Sequence, residues 1–245
     1  MDAMIDLFRD IDRMAPGSRE TTLRAFTAAT KGNDVQVIVE FGCGSGISTL
    51  LLAEQSAAHV TAIDTCQAFL DRLQTKATAA GVSDRITIVN QSMDKSWPSG
   101  TQFDLIWCEG AVYNMGLETA LTQWRPLLSN SGRIAVSDLI WLEGYPEEAV
   151  RNFWEKEGLF MPTMQEAEAL FEACGYRMID RFVYPDSDWE NYYAPVRERL
   201  SDWAAGWHDA DEAKSTVRMF EDEMKVYEDF GSQYGYAFFV AEVVN

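Results

Sequence analysis

The stretch that most constrains this chain is residues 37–54, VIVEFGCGSGISTLLLAE. An apolar run closes on an acid, glycines follow at 42, 44 and 46, and a helical pattern then takes over. Glycine at that spacing lets backbone amides come close to whatever lies at the mouth of a strand-to-helix turn, because no Cβ stands in the way. A strand that feeds a helix through so tight a turn invites a search for further strand–helix units.

The units are there. After a strand over 35–41, the patterns predict a helix at 47–56, a strand at 59–64, a helix at 67–80 and strands at 86–90 and 103–108. A helix at 117–128 and a strand at 132–138 follow, with a glycine turn at Gly132 between them. The strands are short, apolar and rich in β-branched residues, as parallel strands covered on both faces are. Ahead of them, Met4, Ile5, Phe8, Ile11 and Met14 recur at helical spacing and predict an amphipathic helix. Pro16-Gly17 breaks it, and Ser18 is placed to cap the next helix. Beyond Asp138 the rhythm changes to helices near 147–156 and 164–174, a strand at 177–184, a polar, aromatic-rich stretch, and a last strand at 236–244. The organisation read from this is one α/β domain over 1–245. It has an N-terminal helical cap at 1–34, a core at 35–139 and a substrate-side half at 140–245, with a helical insert at about 185–230.

Charge weighs against nucleic acid as a partner. Twenty Lys and Arg against 39 Asp and Glu give a net charge of −19, the opposite of the clustered positive charge that phosphate backbones require. The four cysteines, Cys43, Cys66, Cys108 and Cys174, are widely spaced, and with two histidines no metal site is expected. The charged N-terminal segment is unlike a signal peptide, and no apolar stretch is long enough to cross a bilayer. A cytoplasmic protein is expected, with a homo-oligomer left open.

The glycine turn itself discriminates between ligands. A dinucleotide fingerprint needs a third glycine where Ile47 stands, so a nicotinamide oxidoreductase is the weakest reading. The order E-x-G-x-G-x-G, in EFGCGSG, resembles the first motif of the class I S-adenosylmethionine-dependent methyltransferases. Other segments match in order: VTAID ending in Asp64, NQSMDKSWP after the third strand, FDLIWCEGAVYNMG at the fourth, and RPLLSNSGRIAVSD before the fifth. A narrower likeness is to small-molecule methyltransferases with a PGS loop near the start and an EGAxYN stretch after the fourth strand. Here those are Pro16-Gly17-Ser18 and the residues from Glu109 to Asn114.

The resemblance implies a Rossmann-like fold, a seven-stranded, mostly parallel sheet in the order 3-2-1-4-5-7-6 with the last strand antiparallel. The N-terminal helices and the insert would form a lid. It implies S-adenosyl-L-methionine as cofactor and S-adenosyl-L-homocysteine as product, bound by Ser18, Glu40, Gly42, Gly44, Gly46, Asp64, Thr65, Ser92, Met93 and Cys108. Asp64 suits the ribose because a carboxylate accepts from both hydroxyls at once. Catalytic roles fall to Glu109, as proton acceptor or as anchor for a cationic substrate, and to Tyr113. Trp107, Glu109, Tyr113, Asn114, Trp141 and Tyr193 are the expected substrate contacts. A small-molecule acceptor is the leading expectation. A catalytically inactive cofactor-binding sensor is the alternative, and a protein or RNA methyltransferase ranks lower, since CEGA stands where an NPPY-like stretch would be.

Overall fold

The computed structural model describes residues 3–244, so residues 1, 2 and 245 of the expected 1–245 unit lie outside it. The strands are β1 (Val37–Phe41), β2 (His59–Asp64), β3 (Ile86–Asn90), β4 (Phe103–Cys108), β5 (Leu128–Trp141), β6 (Tyr176–Val183) and β7 (Tyr234–Val243). They form one seven-stranded sheet in the order β3-β2-β1-β4-β5-β7-β6. The neighbours from β3 to β5 pair in parallel, and β7 runs antiparallel to both β5 and β6. The expected topology is the observed one.

The helices are α1 (Ala3–Leu7), α2 (Arg19–Thr30), α3 (Ile47–Gln55), α4 (Gln67–Ala79), α5 (Leu117–Trp124), α6 (Glu148–Lys156), α7 (Met164–Ala173), α8 (Asp186–Gly206) and α9 (Ala210–Phe230). Burial separates into two apolar clusters, as a sheet covered on both faces requires. One, around Trp107, Leu139 and Phe238, lies towards α2 and α8; the other, around Phe41, Val136 and Phe239, lies towards α5 and α7.

Two local readings differ from the structure. The first helix ends at Leu7 and is followed by a 3-10 turn over Phe8–Asp10; Ile11 is already extended, at φ −95° and ψ 128°. Ile11 is buried all the same, because it belongs to a strap that packs against α4 near the strand ends and not to a helix face. β5 is longer than expected at both ends. Gly132 lies inside it, within an irregularity where Phe103 faces Leu128 but Leu105 already faces Arg133. The insert does fold as two long helices, α8 and α9.

Candidate active site

The site is built where β1, β2, β3 and β4 end. After Phe41 the amides of Gly42 and Cys43 both donate to the carbonyl of Ile63, each at 2.9 Å, tying the turn to β2. The Gly44 amide donates to Asp64 Oδ2 at 2.8 Å, and the Cys66 amide donates to Asp64 Oδ1 at 2.9 Å. One carboxylate thus fixes the ends of two strands.

The glycines meet protein as well as cleft. A Cβ on Gly42 would lie 2.4 Å from Ala111 Cβ, and one on Gly46 would lie 2.2 Å from Leu73 Cδ1. Both have positive φ, 72° and 82°, a region that side chains enter at a cost. The spacing that reads as room for a ligand is also room for the 111 turn and for α4. Gly46 does not line the cleft at all.

Glu40 is likewise turned inward. It is 1% exposed, and the hydroxyls of Ser48 and Thr49, from the first turn of α3, donate one to each carboxylate oxygen. Burial pushes its carboxyl up to about 7, against the opposing pull of those hydroxyls. Its role here is to brace the turn from below.

Above the turn lies a cleft of about 420 Å³ lined by Gly42, Gly44, Asp64, Thr65, Ser92, Met93, Glu109, Tyr113 and Asn114, among others. These nine residues of the sequence-derived set are brought together. The remaining seven are not. Ser18 caps α2, accepting from the Thr21 amide at 3.1 Å. Cys108 and Trp107 are fully buried in β4, and the Trp107 ring packs 5.0 Å from Phe238 and 6.2 Å from Phe26. Trp107 is thus core, not a substrate contact, because its position in the strand points it at α2. Tyr193 is buried too, and it lines a hollow between α8 and α9 instead of the cleft. Trp141 lines a separate chamber, and Glu40 and Gly46 stand as described.

Glu109 sits at the cleft with 5% of its side chain exposed. Arg13 reaches its Oε1 at 3.3 Å, and the Thr22 hydroxyl donates to the same oxygen at 2.9 Å. Burial raises its pKa, while the Arg13 charge and the Thr22 and Arg13 hydrogen bonds pull it down. The Arg13 guanidinium and the Thr22 hydroxyl only offset part of that rise, and they fix the direction of the carboxyl at the cleft wall.

Arg13, absent from the sequence-derived set, belongs to a strap over residues 11–17 within the N-terminal cap that the sequence expects over the site. Arg72 of α4 donates to the carbonyls of Phe8 and Ile11, and to Asp12 at 2.8 Å. Ser45 donates to the Asp12 carbonyl at 3.1 Å. At its far end the Gly17 amide donates to the Asp188 carbonyl at 3.0 Å, and Asn191 donates to the Gly17 carbonyl at 3.1 Å. Met14, Ala15 and Pro16 roof the cleft on one side and wall a second chamber, of about 880 Å³, on the other. Tyr113 and Asn114 also line both. Two further acids escaped the sequence reading, Glu223 in the second chamber and Asp138 in the third, which Trp141 also lines. Each stands in an apolar stripe: Asp138 between Val136 and Ile140 at strand period, and Glu223 three residues beyond buried Phe220 on α9. An acid on an inward stripe is the signal that marks them.

Among the described residues no group of acids, His and Cys is arranged to hold a metal ion, and no helix is long and apolar enough to cross a membrane.

Residues 38–132 match a family model described as a methyltransferase domain. A curated relative, the O-methyltransferase rstn1 of Aspergillus nomiae, is 25% identical over 59% of this chain and 66% of its own length, just under two thirds. Among solved structures, a SAM-dependent methyltransferase from Geobacter sulfurreducens in complex with S-adenosyl-L-homocysteine aligns with a TM-score of 0.82. It is 20% identical, and the alignment covers 99% of this chain and 98% of that one. A second, from Thiobacillus denitrificans with the same ligand, has a TM-score of 0.79 at 20% identity, over 98% and 96% of the two chains. At such identities these structures establish a shared fold.

Proposed function

We propose that this chain, which carries a methyltransferase domain over residues 38–132, is an S-adenosylmethionine-dependent enzyme that methylates a small-molecule acceptor. One observation carries the reading. The Gly42–Ser45 turn, Asp64, Ser92 with Met93, and the segment from Glu109 to Asn114 converge on one cleft from the ends of four neighbouring strands. In open α/β sheets that is where ligands bind.

The residues present fit the cofactor. Each oxygen of Asp64 is held by one backbone amide, which fixes the carboxylate's direction and leaves lone pairs to accept from a ribose diol. Ser92, Met93 and Phe69 would flank the adenine, and the Gly42–Gly44 backbone would face the methionyl part. When bound, the sulfonium supplies a methyl carbon already activated for in-line displacement. The chain's own task is alignment and the exclusion of water, and a well-aligned nucleophile can lower the barrier by several kcal/mol, up to about 7–11.

The acceptor's room is the 880 Å³ chamber, which shares Tyr113 and Asn114 with the cleft as lining. Those two side chains position the acceptor, and Glu109, held by Arg13 and Thr22, orients the wall they stand on. The small-molecule subgroup is supported by the same place. A Cβ on Gly17 would lie 3.2 Å from Glu109 Oε1, and one on Gly110 would lie 2.6 Å from Ala15 Cβ, so the PGS loop and the EGAVYN stretch pack on each other.

Isothermal titration with S-adenosylmethionine, S-adenosylhomocysteine and NAD tests the reading. Saturable binding of the first two with none of NAD is the expected result. Binding of neither would remove the cofactor, and the proposed activity with it.

A further inference from the structure

The charged side chains that line the 420 Å³ cleft are acids, with one exception. Asp12, Asp64, Asp94 and Glu109 line it, and Arg13 is the only Lys, Arg or His among its lining residues. The Arg13 side chain is 13% exposed and makes one hydrogen bond to protein, from Nη1 to Glu109 Oε1 at a long 3.3 Å. Among the described residues its Nε and Nη2 donate to nothing, so most of its N–H groups stay open.

The guanidinium is also held in place. Ser45 of the glycine turn fastens the residue before it, through the Asp12 carbonyl at 3.1 Å. Gly17 leaves the space it occupies, since a Cβ there would lie 2.5 Å from Arg13 Nη1 and 3.4 Å from its Cζ. The other cations at the strap are engaged elsewhere. Arg72 and Lys76 of α4 both bind Asp12, and neither lines the cleft.

The methionyl part of the cofactor would bring one carboxylate into this cleft. With the sheet running β3-β2-β1-β4, adenine beside Ser92 and Met93 and ribose on Asp64 leave the amino-acid end over β1 and β4. The Gly42–Gly46 turn and Glu109 stand there. Most of the turn's amides are already used: those of Gly42 and Cys43 donate to Ile63, that of Gly44 to Asp64 and that of Gly46 to Cys43. The start of α3 is occupied as well, because the Glu40 carboxyl lies against the Ser48 and Thr49 hydroxyls. A carboxylate left without a partner among these acids would be costly. A guanidinium fork meets it with two parallel hydrogen bonds.

We propose that Arg13 binds the methionyl carboxylate of the cofactor with the donors that Glu109 leaves free. The strap is then part of the cofactor site, and the cleft selects a cofactor whose carboxylate is intact. This rests on the reading of the cleft as an S-adenosylmethionine site.

The test is calorimetric and needs no turnover. Three nucleosides are titrated into the full chain. They are S-adenosylhomocysteine, its decarboxylated counterpart, which keeps the adenosine, thioether and amine, and 5′-methylthioadenosine, which lacks the whole amino-acid end. In the unaltered protein S-adenosylhomocysteine is expected to bind at least about tenfold more tightly than the decarboxylated compound. The field of the acids alone would favour the more cationic compound, so the expected order runs against it.

Replacing Arg13 by itself would leave Glu109 buried without its cation, so the deletion is made in a Glu109→Gln chain. There Arg13→Met should bring the affinity ratio to within about twofold of one, while 5′-methylthioadenosine binds as it does to Glu109→Gln alone. Arg13→Lys in the otherwise unaltered chain keeps the charge without the fork, and should give an intermediate ratio. A ratio near one in the unaltered protein overturns the proposal. So does a ratio that survives Arg13→Met, which would assign the carboxylate to the free amides at the start of α3. Should the double variant fail to fold, Arg13→Lys decides, and a ratio it leaves unchanged overturns the proposal. Binding of 5′-methylthioadenosine with a ratio near one removes Arg13 alone. Binding of none of the three removes the cofactor reading, and this assignment with it.

Discussion

Replacing Gly46 by alanine tests whether the glycine-rich turn is shaped by its neighbours. Gly46 has φ 82°, and an alanine there would carry the left-handed penalty of about 1–2 kcal/mol. Its Cβ would also lie 2.2, 2.9 and 3.1 Å from Cδ1, Cγ and Cβ of Leu73. Three atoms along one side chain are struck, not just a flexible tip, and Leu73 is fully buried on the inner face of α4. Overpacking of that kind costs about 1–3 kcal/mol, so Gly46→Ala should destabilise by about 2–5 kcal/mol in all. Leu73→Ala alone should cost about 2–5 kcal/mol as a buried deletion. In the double variant the clashes with Cδ1 and Cγ are gone, and of the alanine's cost the conformational penalty and a 3.1 Å contact with the remaining Cβ stay. The two losses should therefore sum to about 1–3 kcal/mol more than the double variant loses. Equilibrium urea unfolding of the four proteins measures this coupling. Additivity within about 0.5 kcal/mol would refute the steric account, and would return Gly46 to the ligand as its reason for being glycine.

Asp64→Ala should weaken binding of S-adenosylhomocysteine by about 1–3 kcal/mol through lost charge-assisted hydrogen bonds, read by calorimetry. Arg13→Met leaves Glu109 buried beside Thr22 with its cation gone, and should destabilise by about 3 kcal/mol in urea, with Glu109→Gln in the same chain recovering part of the loss. The raised carboxyls set the pH trend: Glu40, Asp138 and Glu223 keep their protons up to about 7 when folded, whereas unfolded carboxyls lose them near 4. Over that window the folded state binds more protons, so stability should fall as pH rises from about 4 to 7 and then level off. Thermal unfolding between those limits checks the slope, and Asp138→Asn should flatten it.

The sheet was legible because each strand carries its own apolar signature and each crossover its own helix, so the order of elements follows from local pattern. The glycine turn and Asp64 were legible for the same reason, since both lie at the ends of those strands. What was not legible lies in contacts distant along the chain. Met4 to Met14 keep a helical spacing, yet the helix ends at Leu7 and Arg72 binds the carbonyls of Phe8 and Ile11, and no local period records that. Trp107 counts as an aromatic near the site until its strand parity is set against Phe26 of α2. Arg13 meets Glu109 across 96 residues. Glu223 and Asp138 were readable as acids in apolar stripes, but only once those stripes were known to face inward.

The strap has a further consequence for the volumes it divides. Met14, Ala15 and Pro16 present one face to the cleft and the other to the larger chamber, and both ends of the segment are fastened, one to α4 and the other to α8. It is a party wall between two rooms. Because both its faces are used, a change of side chain at Ala15 bears on both rooms at once. The two volumes, about 420 and 880 Å³, stand on either side of one partition.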